Sequence, residues 1–265
     1  MADRPTTRRF RRAWRIVATL VAVPVLGFGA SGVASALAHE ERTEVSELDA
    51  AGLRGIEVDN GAGSIRVIGV KDAETVTVTA RISDGLRSTG HEVRREGDRL
   101  VIEGSCPIFL ADWCGVRYTI ELPSDLAVVA EADDGGVTVT DMAAGVHASS
   151  DNGPVELARV EGDVELHSDN GSVTATGLRS ARANATADNG SVQLDFGDPP
   201  RDVVAQSDNG SIDVVVPEVE DLYRVDAQSN NGTVSTSGVG NDPNSERTIT
   251  ATSDNGDVTV TYALG

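Results

Sequence analysis

The stretch Ser168-Asp169-Asn170-Gly171-Ser172-Val173 returns as Ala187-Asp188-Asn189-Gly190-Ser191-Val192 and again as Ser207-Asp208-Asn209-Gly210-Ser211-Ile212. Looser copies stand at 150–155, 229–234 and 253–258, a degenerate one at 132–137, and an irregular one begins at Asp59. The asparagines at 152, 170, 189, 209, 231 and 255 are 18, 19, 20, 22 and 24 residues apart. A period of that size marks a stacked array of small units.

Alternation surrounds each copy. Ahead of the aspartate, Val146 and Ala148, Val164 and Leu166, Ala183 and Ala185, Val203 and Ala205, Val225 and Ala227, and Ile249 and Ala251 occupy every second position. Behind it come Val155 and Leu157, Val173 and Ala175, Val192 and Leu194, Ile212 and Val214, Val234 and Thr236, and Val258 and Val260. Polar residues such as Glu165, Gln206, Glu156 and Thr174 fill the places between, so each repeat reads as two half-buried strands joined at a corner. The corner pairs Asn152-Gly153, Asn170-Gly171, Asn189-Gly190, Asn209-Gly210, Asn231-Gly232 and Asn255-Gly256 are expected to supply the positive φ of a tight reversal. Asn-Gly between alternating strands is also a hairpin signal. The fold is therefore all-β, a single-stranded β-solenoid of coils of about 18–24 residues, with an antiparallel hairpin meander as the alternative. Length variation confined to 197–202, 217–222 and 238–247 favours the solenoid, in which every coil keeps its corner in phase with the next.

Upstream, residues 52–125 carry the same alternation less regularly and read as opening coils with insertions; 126–265 is the regular repeat region. Residues 39–51, rich in Glu and Asp, read as a polar spacer. Residues 1–15 hold six arginines against Asp3, and 16–38 are uncharged. This pattern is an export signal, either cleaved near Ala36-Leu37-Ala38 or retained as one hydrophobic transmembrane helix. Arg8-Arg9-Phe10 has only part of a twin-arginine pattern. In both cases the arginines stay inside and the rest lies outside the cytoplasm, secreted or anchored to the cell membrane.

The whole chain has net charge −20 and its first 38 residues +5, leaving −25 for the exported part. Such a surface repels nucleic acid and anionic lipid. Cys106 and Cys114 flank a seven-residue loop in that part, and oxidising surroundings favour a disulfide between them.

With D-N-G-[ST]-[VI] corners, an Ile120-Glu121-Leu122-Pro123 step into Leu126-Ala127-Val128 and an N-terminal membrane segment, the chain from about 53 to 262 resembles the bacterial adhesin-named family of β-strand repeat proteins, the DUF4097 group. The resemblance implies an exported β-helix-like domain with adhesin-type naming and no established catalytic residues.

Few residues point to chemistry. Asp133, Asp151, Asp169, Asp188, Asp208 and Asp254 would stack into a column, where neighbouring carboxylates about 4.8 Å apart repel by roughly 1 kcal/mol in water and more at a protein surface. Either Ca²⁺ bridges them or, as Asn230 in the same column favours, each aspartate caps its own turn by accepting bonds from the amides ahead. No other cofactor is expected. His147 and His167 are ordinary surface residues without a third ligand, and the Asn-Gly-Ser/Thr glycosylation triplets are by-products of the corner. A polysaccharide-active β-helix enzyme would need paired carboxylates and aromatic platforms, and Trp113 is the one tryptophan past the export signal. The reading is a non-catalytic, extracytoplasmic, adhesin-like module meeting an envelope protein or surface, with a membrane-anchored envelope-stress accessory as the alternative. The last strand, 257–262, is expected to be an open edge that could pair with a second copy.

Overall fold

A computed structural model describes residues 40–85, 88–106, 114–220, 222–236 and 238–263. The N-terminal segments 1–15 and 16–38, with the hydrophobic helix expected there, and most of the cysteine loop lie outside the described residues. Among the described residues no helix is long and apolar enough to cross a membrane.

Among the described residues twenty-one strands follow one another. The first seven are β1 (Glu40–Asp49), β2 (Gly55–Asn60), β3 (Ile65–Val70), β4 (Thr75–Asp84), β5 (Gly90–Glu96), β6 (Arg99–Ser105) and β7 (Gly115–Pro123). The repeats then supply β8 (Ala127–Ala132), β9 (Val137–Met142), β10 (Val146–Ser150), β11 (Val155–Val160), β12 (Val164–Ser168), β13 (Val173–Leu178), β14 (Arg182–Ala187) and β15 (Val192–Phe196). Last come β16 (Asp202–Ser207), β17 (Ile212–Val216), β18 (Arg224–Ser229), β19 (Val234–Ser235), β20 (Thr248–Ser253) and β21 (Val258–Tyr262).

Pairing decides between coil and hairpin. β10 pairs in parallel with β8 and β12, and β11 in parallel with β9 and β13, so consecutive strands lie in different sheets. The chain winds as a two-sheet β-solenoid, and the hairpin meander is excluded because β10 and β11 do not pair. Each coil buries a Val/Ala/Leu pair from either sheet, as the alternation requires, with Val146, Ala148, Val155, Leu157, Val173, Ala175, Val192 and Leu194 all within the core. One coil departs from this pattern. Val225 and Ala227 are only partly buried, and Val234 is 46% exposed, because their coil is the outermost.

That placement corrects in part the expectation of an open last strand. One sheet runs β1-β4-β7-β3-β9-β11-β13-β15-β17-β21-β19 and the other β18-β20-β16-β14-β12-β10-β8-β2-β6-β5. The final coil β20/β21 is thus inserted between β16/β17 and β18/β19, so its strand 258–262 pairs with β17 along its length and with β19 at Val258 and Thr259. At the opposite end β6/β7 stacks outside β2/β3, and β4, β1 and β5 close the end with antiparallel pairings.

Residues 40–49, read from sequence as a polar spacer, form β1, paired along ten residues with β4. Its acids suit an edge strand, where charge discourages further pairing. The variable connectors 197–202, 217–222 and 238–247 join the first sheet back to the second, opposite the Asp-Asn-Gly corner.

Candidate functional site

The Asp-Asn-Gly corners stack into one continuous column, and each of its residues has a separate task. Asn152 Nδ2 donates to Asp134 Oδ1 at 3.0 Å. Asn170, Asn189, Asn209, Asn255 and Asn231 each donate to Oδ1 of the corner asparagine in the adjacent coil, Asn152, Asn170, Asn189, Asn209 and Asn255 respectively, at 3.1–3.2 Å. Stacked amides of this kind polarise one another and lock the phase of successive coils.

The serine before the aspartate points inward. Ser150, Ser168, Ser207, Ser253 and Ser229 donate their Oγ protons to the carbonyls of Gly135, Gly153, Gly190, Gly210 and Gly256 in the adjacent coil, at 2.7–2.9 Å. This second ladder escaped the sequence reading, although the recurrence of Ser at that place in five copies carried the signal.

The glycines are needed for another reason than expected. Gly153, Gly171, Gly190, Gly210, Gly232 and Gly256 lie outside the left-handed region, and none of the corner asparagines has positive φ. A Cβ on Gly171 would instead lie 2.2 Å from the Gly153 oxygen, and one on Gly190 2.1 Å from the Gly171 oxygen. The column demands glycine because the coils approach closely there.

The aspartates line the outside of the column. His167 Nε2 lies 2.6 Å from Asp169 Oδ1, and Asn230 Nδ2 donates to Asp254 Oδ1 at 2.8 Å. Among the described residues none of Asp133, Asp151, Asp169, Asp188, Asp208 and Asp254 accepts a bond from the amide ahead of it, so the expected self-capped turn does not form. The amides there continue the ladder instead, as where Asn170 N donates to Asp151 O at 2.9 Å. Nor do the aspartates converge as ligands, since no three His, Cys, Asp or Glu of the described residues form a group able to hold a metal ion. His147 and His167 sit on neighbouring strands two positions out of register, each beside its own acid, Glu165 at 3.4 Å and Asp169.

The first copy of the motif is out of phase. Asn60 pairs with Ala132, which pairs with Ser150, so Asn60 occupies the inward serine position and Gly63, not Gly61, belongs to the glycine column. The buried Asn60 Nδ2 donates to Gly63 O and Val116 O, both at 2.8 Å. Beside it the buried Tyr118 donates its hydroxyl proton to Glu103 O at 2.9 Å, and His91 Nδ1 lies 2.9 Å from the same hydroxyl. Burial raises the Tyr118 pKa and lowers that of His91, with Arg42 adding to the His91 shift and Glu44 opposing it. Asp59, on the adjoining outer face, has its pKa raised by burial and by the carboxylates of Asp133, Glu131, Glu103 and Glu57. Cys106 and Cys114 form the expected disulfide, with Cα atoms 5.8 Å apart.

At the opposite corner Asp141 and Arg159 adopt left-handed φ of 63° and 56°. Arg159 grips Asp141 with two bonds of 2.6 and 2.8 Å, which holds the Asp141 pKa below the usual carboxylate range. Lys71, Glu161 and Arg179 join them around an open depression of about 710 Å³. With both charge signs interleaved, that depression selects no one kind of ligand.

The model of a family described as Toastrack DUF4097 matches residues 119–262. No curated protein matches the chain. Among solved structures, a "putative cell adhesion protein" from Clostridium sporogenes is 10% identical with a TM-score of 0.40, the match covering 84% of this chain and all of that one. A "putative adhesin" from Bacteroides fragilis is 12% identical with a TM-score of 0.38, covering 84% of this chain and 97% of the other.

Proposed function

Because the chain belongs to the Toastrack DUF4097 family, we propose that it is a non-catalytic β-repeat protein of the cell envelope, an adhesin-like module whose work is to meet another surface or envelope protein. One observation carries the reading. The outward residues Thr138, Glu156, Thr174, Gln193, Asp213 and Thr259 form a single in-register row across six coils. At about 4.8 Å per step the row is roughly 24 Å long. Such a regular polar face offers many weak contacts to an extended partner and no enclosed pocket for a small substrate.

In this proposal residues 1–15 stay in the cytoplasm, 16–38 act as signal or anchor, and the β domain lies outside. The uncleaved form of that apolar stretch favours a second reading, a membrane-anchored accessory of envelope-stress sensing. Cell fractionation with mass spectrometry of the mature N-terminus separates the two: release into the medium counts against the sensor, and retention with residues 16–38 intact counts against a freely secreted adhesin. The main proposal is tested by protease shaving of intact cells and by capture of the tagged chain's partners from envelope extract. A chain wholly protected inside the cytoplasm, or one that retains no envelope component, would refute it.

A further inference from the structure

We propose that the outer face of β4 and β7 is a binding site for one tetrahedral oxyanion, a phosphate or sulfate group, gripped between Arg81 and Arg117 with Arg66 alongside. The two arginines are direct partners in the antiparallel ladder, and both are exposed on the same face. Opposed residues in such a ladder have Cβ atoms about 5 Å apart, and like charges there destabilise the sheet. Arg66 opposes Thr119, two residues along β7 from Arg117 and on the same face.

What distinguishes the trio is that no carboxylate has come to it. The chain has 42 acidic residues against 22 basic ones, and elsewhere arginines find partners, as Arg54 does in Asp98, Arg99 in Glu57, Arg159 in Asp141 and Arg182 in Asp163. Among the described residues no side chain lies within hydrogen-bond or ion-pair distance of the guanidinium groups of Arg66, Arg81 or Arg117. Arg201 and Arg224 also lack a carboxylate, but they do not share a face.

Arg81 and Arg117 line a depression of about 690 Å³. Thr43 opposes Arg81 on one side, and Ser64, whose carbonyl accepts the Tyr118 amide, stands next to Arg117 on the other. The row therefore reads hydroxyl, guanidinium, guanidinium, hydroxyl. Two guanidinium forks match the oxygens of a tetrahedral dianion, each bidentate, and the dianion between them cancels their repulsion.

The surroundings also set the size of the ligand. Glu41, opposite Ser83, and Glu121, opposite Thr77, stand on either side of the row along the strand direction, two and four residues from it. A polyanion running along the strands through the site would meet them, whereas a single terminal group would not. At physiological ionic strength charges more than about 8 Å away are screened, so the negative charge of the whole molecule does not prevent a close anion from binding.

The test titrates the purified chain at constant ionic strength with inorganic phosphate, sulfate, a sugar phosphate and polyphosphate, following the amide resonances of residues 43, 64, 81 and 117. Saturable shifts with phosphate and sulfate are expected, weakened at least about tenfold in Arg81→Gln and in Arg117→Gln, each of which removes charge-assisted bonds. Tighter binding of the sugar phosphate assigns the site to a carried phosphate, and equal binding assigns it to the free anion. As a check on folding, either variant without phosphate should unfold at the same temperature as the parent or slightly above it, because the opposed charges are gone. No saturation by about 50 mM phosphate, unchanged affinity in both variants, or polyphosphate binding more tightly per phosphate than the monomer would overturn the proposal.

Discussion

Replacing Gly171 by alanine puts a methyl carbon 2.2 Å from the Gly153 carbonyl oxygen and 2.5 Å from its carbon. The coils cannot simply part to make room. Ser150–Ser168 and Val155–Val173 are ladder pairs on either side of the corner, and they fix the separation near 4.8 Å. A local shift of about 1 Å would stretch the bonds from Ser168 Oγ to Gly153 O at 2.9 Å and from Asn170 Nδ2 to Asn152 Oδ1 at 3.2 Å. Overpacking of this kind costs about 1–3 kcal/mol, and each weakened bond adds up to about 1 kcal/mol, so about 3 kcal/mol in total is expected. If the glycine served only to give the chain freedom, the same substitution at an ordinary φ would stabilise by about 0.4–1 kcal/mol through the unfolded state. The two accounts differ in sign. Equilibrium urea unfolding decides between them, since with m of about 2 kcal/mol/M the midpoint should fall by roughly 1.5 M. Gly97→Ala is the control: its φ is +64° and nothing lies within 4 Å of the added carbon, so only the left-handed strain of about 1–2 kcal/mol applies. A Gly171→Ala chain as stable as the parent would refute close coil approach as the reason for the glycine column.

Tyr118→Phe leaves Glu103 O and His91 Nδ1 without their shared hydroxyl and should cost about 1–3 kcal/mol in the same urea assay, with the circular dichroism unchanged. His91 holds its proton less tightly in the folded chain than in the unfolded one, so the unfolded state binds more protons as the solution is acidified. The contribution of His91 to stability is then complete above about pH 6.5 and is lost as pH falls below it; His91→Gln should flatten the stability profile between about pH 7.5 and 5.5. Reducing the Cys106–Cys114 bond should remove about 2–3 kcal/mol, seen as a lower melting temperature in dithiothreitol. Calorimetric titration with millimolar calcium should give no saturable heat, because among the described residues the corner aspartates do not gather into a group of three ligands; a one-site isotherm would refute that geometry.

Much of this architecture was legible in the sequence because a half-buried strand has a period of two. Val164 with Leu166 and Val173 with Ala175 announced their inward faces, and the constant phase of Asn170, Asn189 and Asn209 announced a stack. Periodicity says which side of a strand is buried but not which coil lies beside which, so the place of β20/β21 inside β18/β19 was hidden: Val225 and Ala227 carry the same pattern as Ile249 and Ala251. A left-handed turn and a close backbone approach demand the same residue, so the sequence shows the glycine column but not its cause. Asp59-Asn60-Gly61 imitates a corner two positions early, and only the ladder register shows that Asn60 faces inward. The acids of β1 suggested a spacer because an edge strand with solvent along one side need not carry a fully apolar face. The arginine row was invisible for another reason: Arg81 and Arg117 are distant in sequence and meet only across a ladder.

The displaced order of the last coils sets the order in which they can be made. When the chain has been synthesised only as far as Ser235, the edge presented by β16/β17 has one available partner, the coil β18/β19, whose pattern fits it. Residues 248–262 emerge later and finally occupy that edge, with β18/β19 outside them. The solenoid therefore cannot be completed by simple addition from one end to the other. Either the penultimate coil waits unpaired, or it docks early and must be displaced by its successor, and the second route places a slow exchange of one parallel ladder for another at the final step of folding.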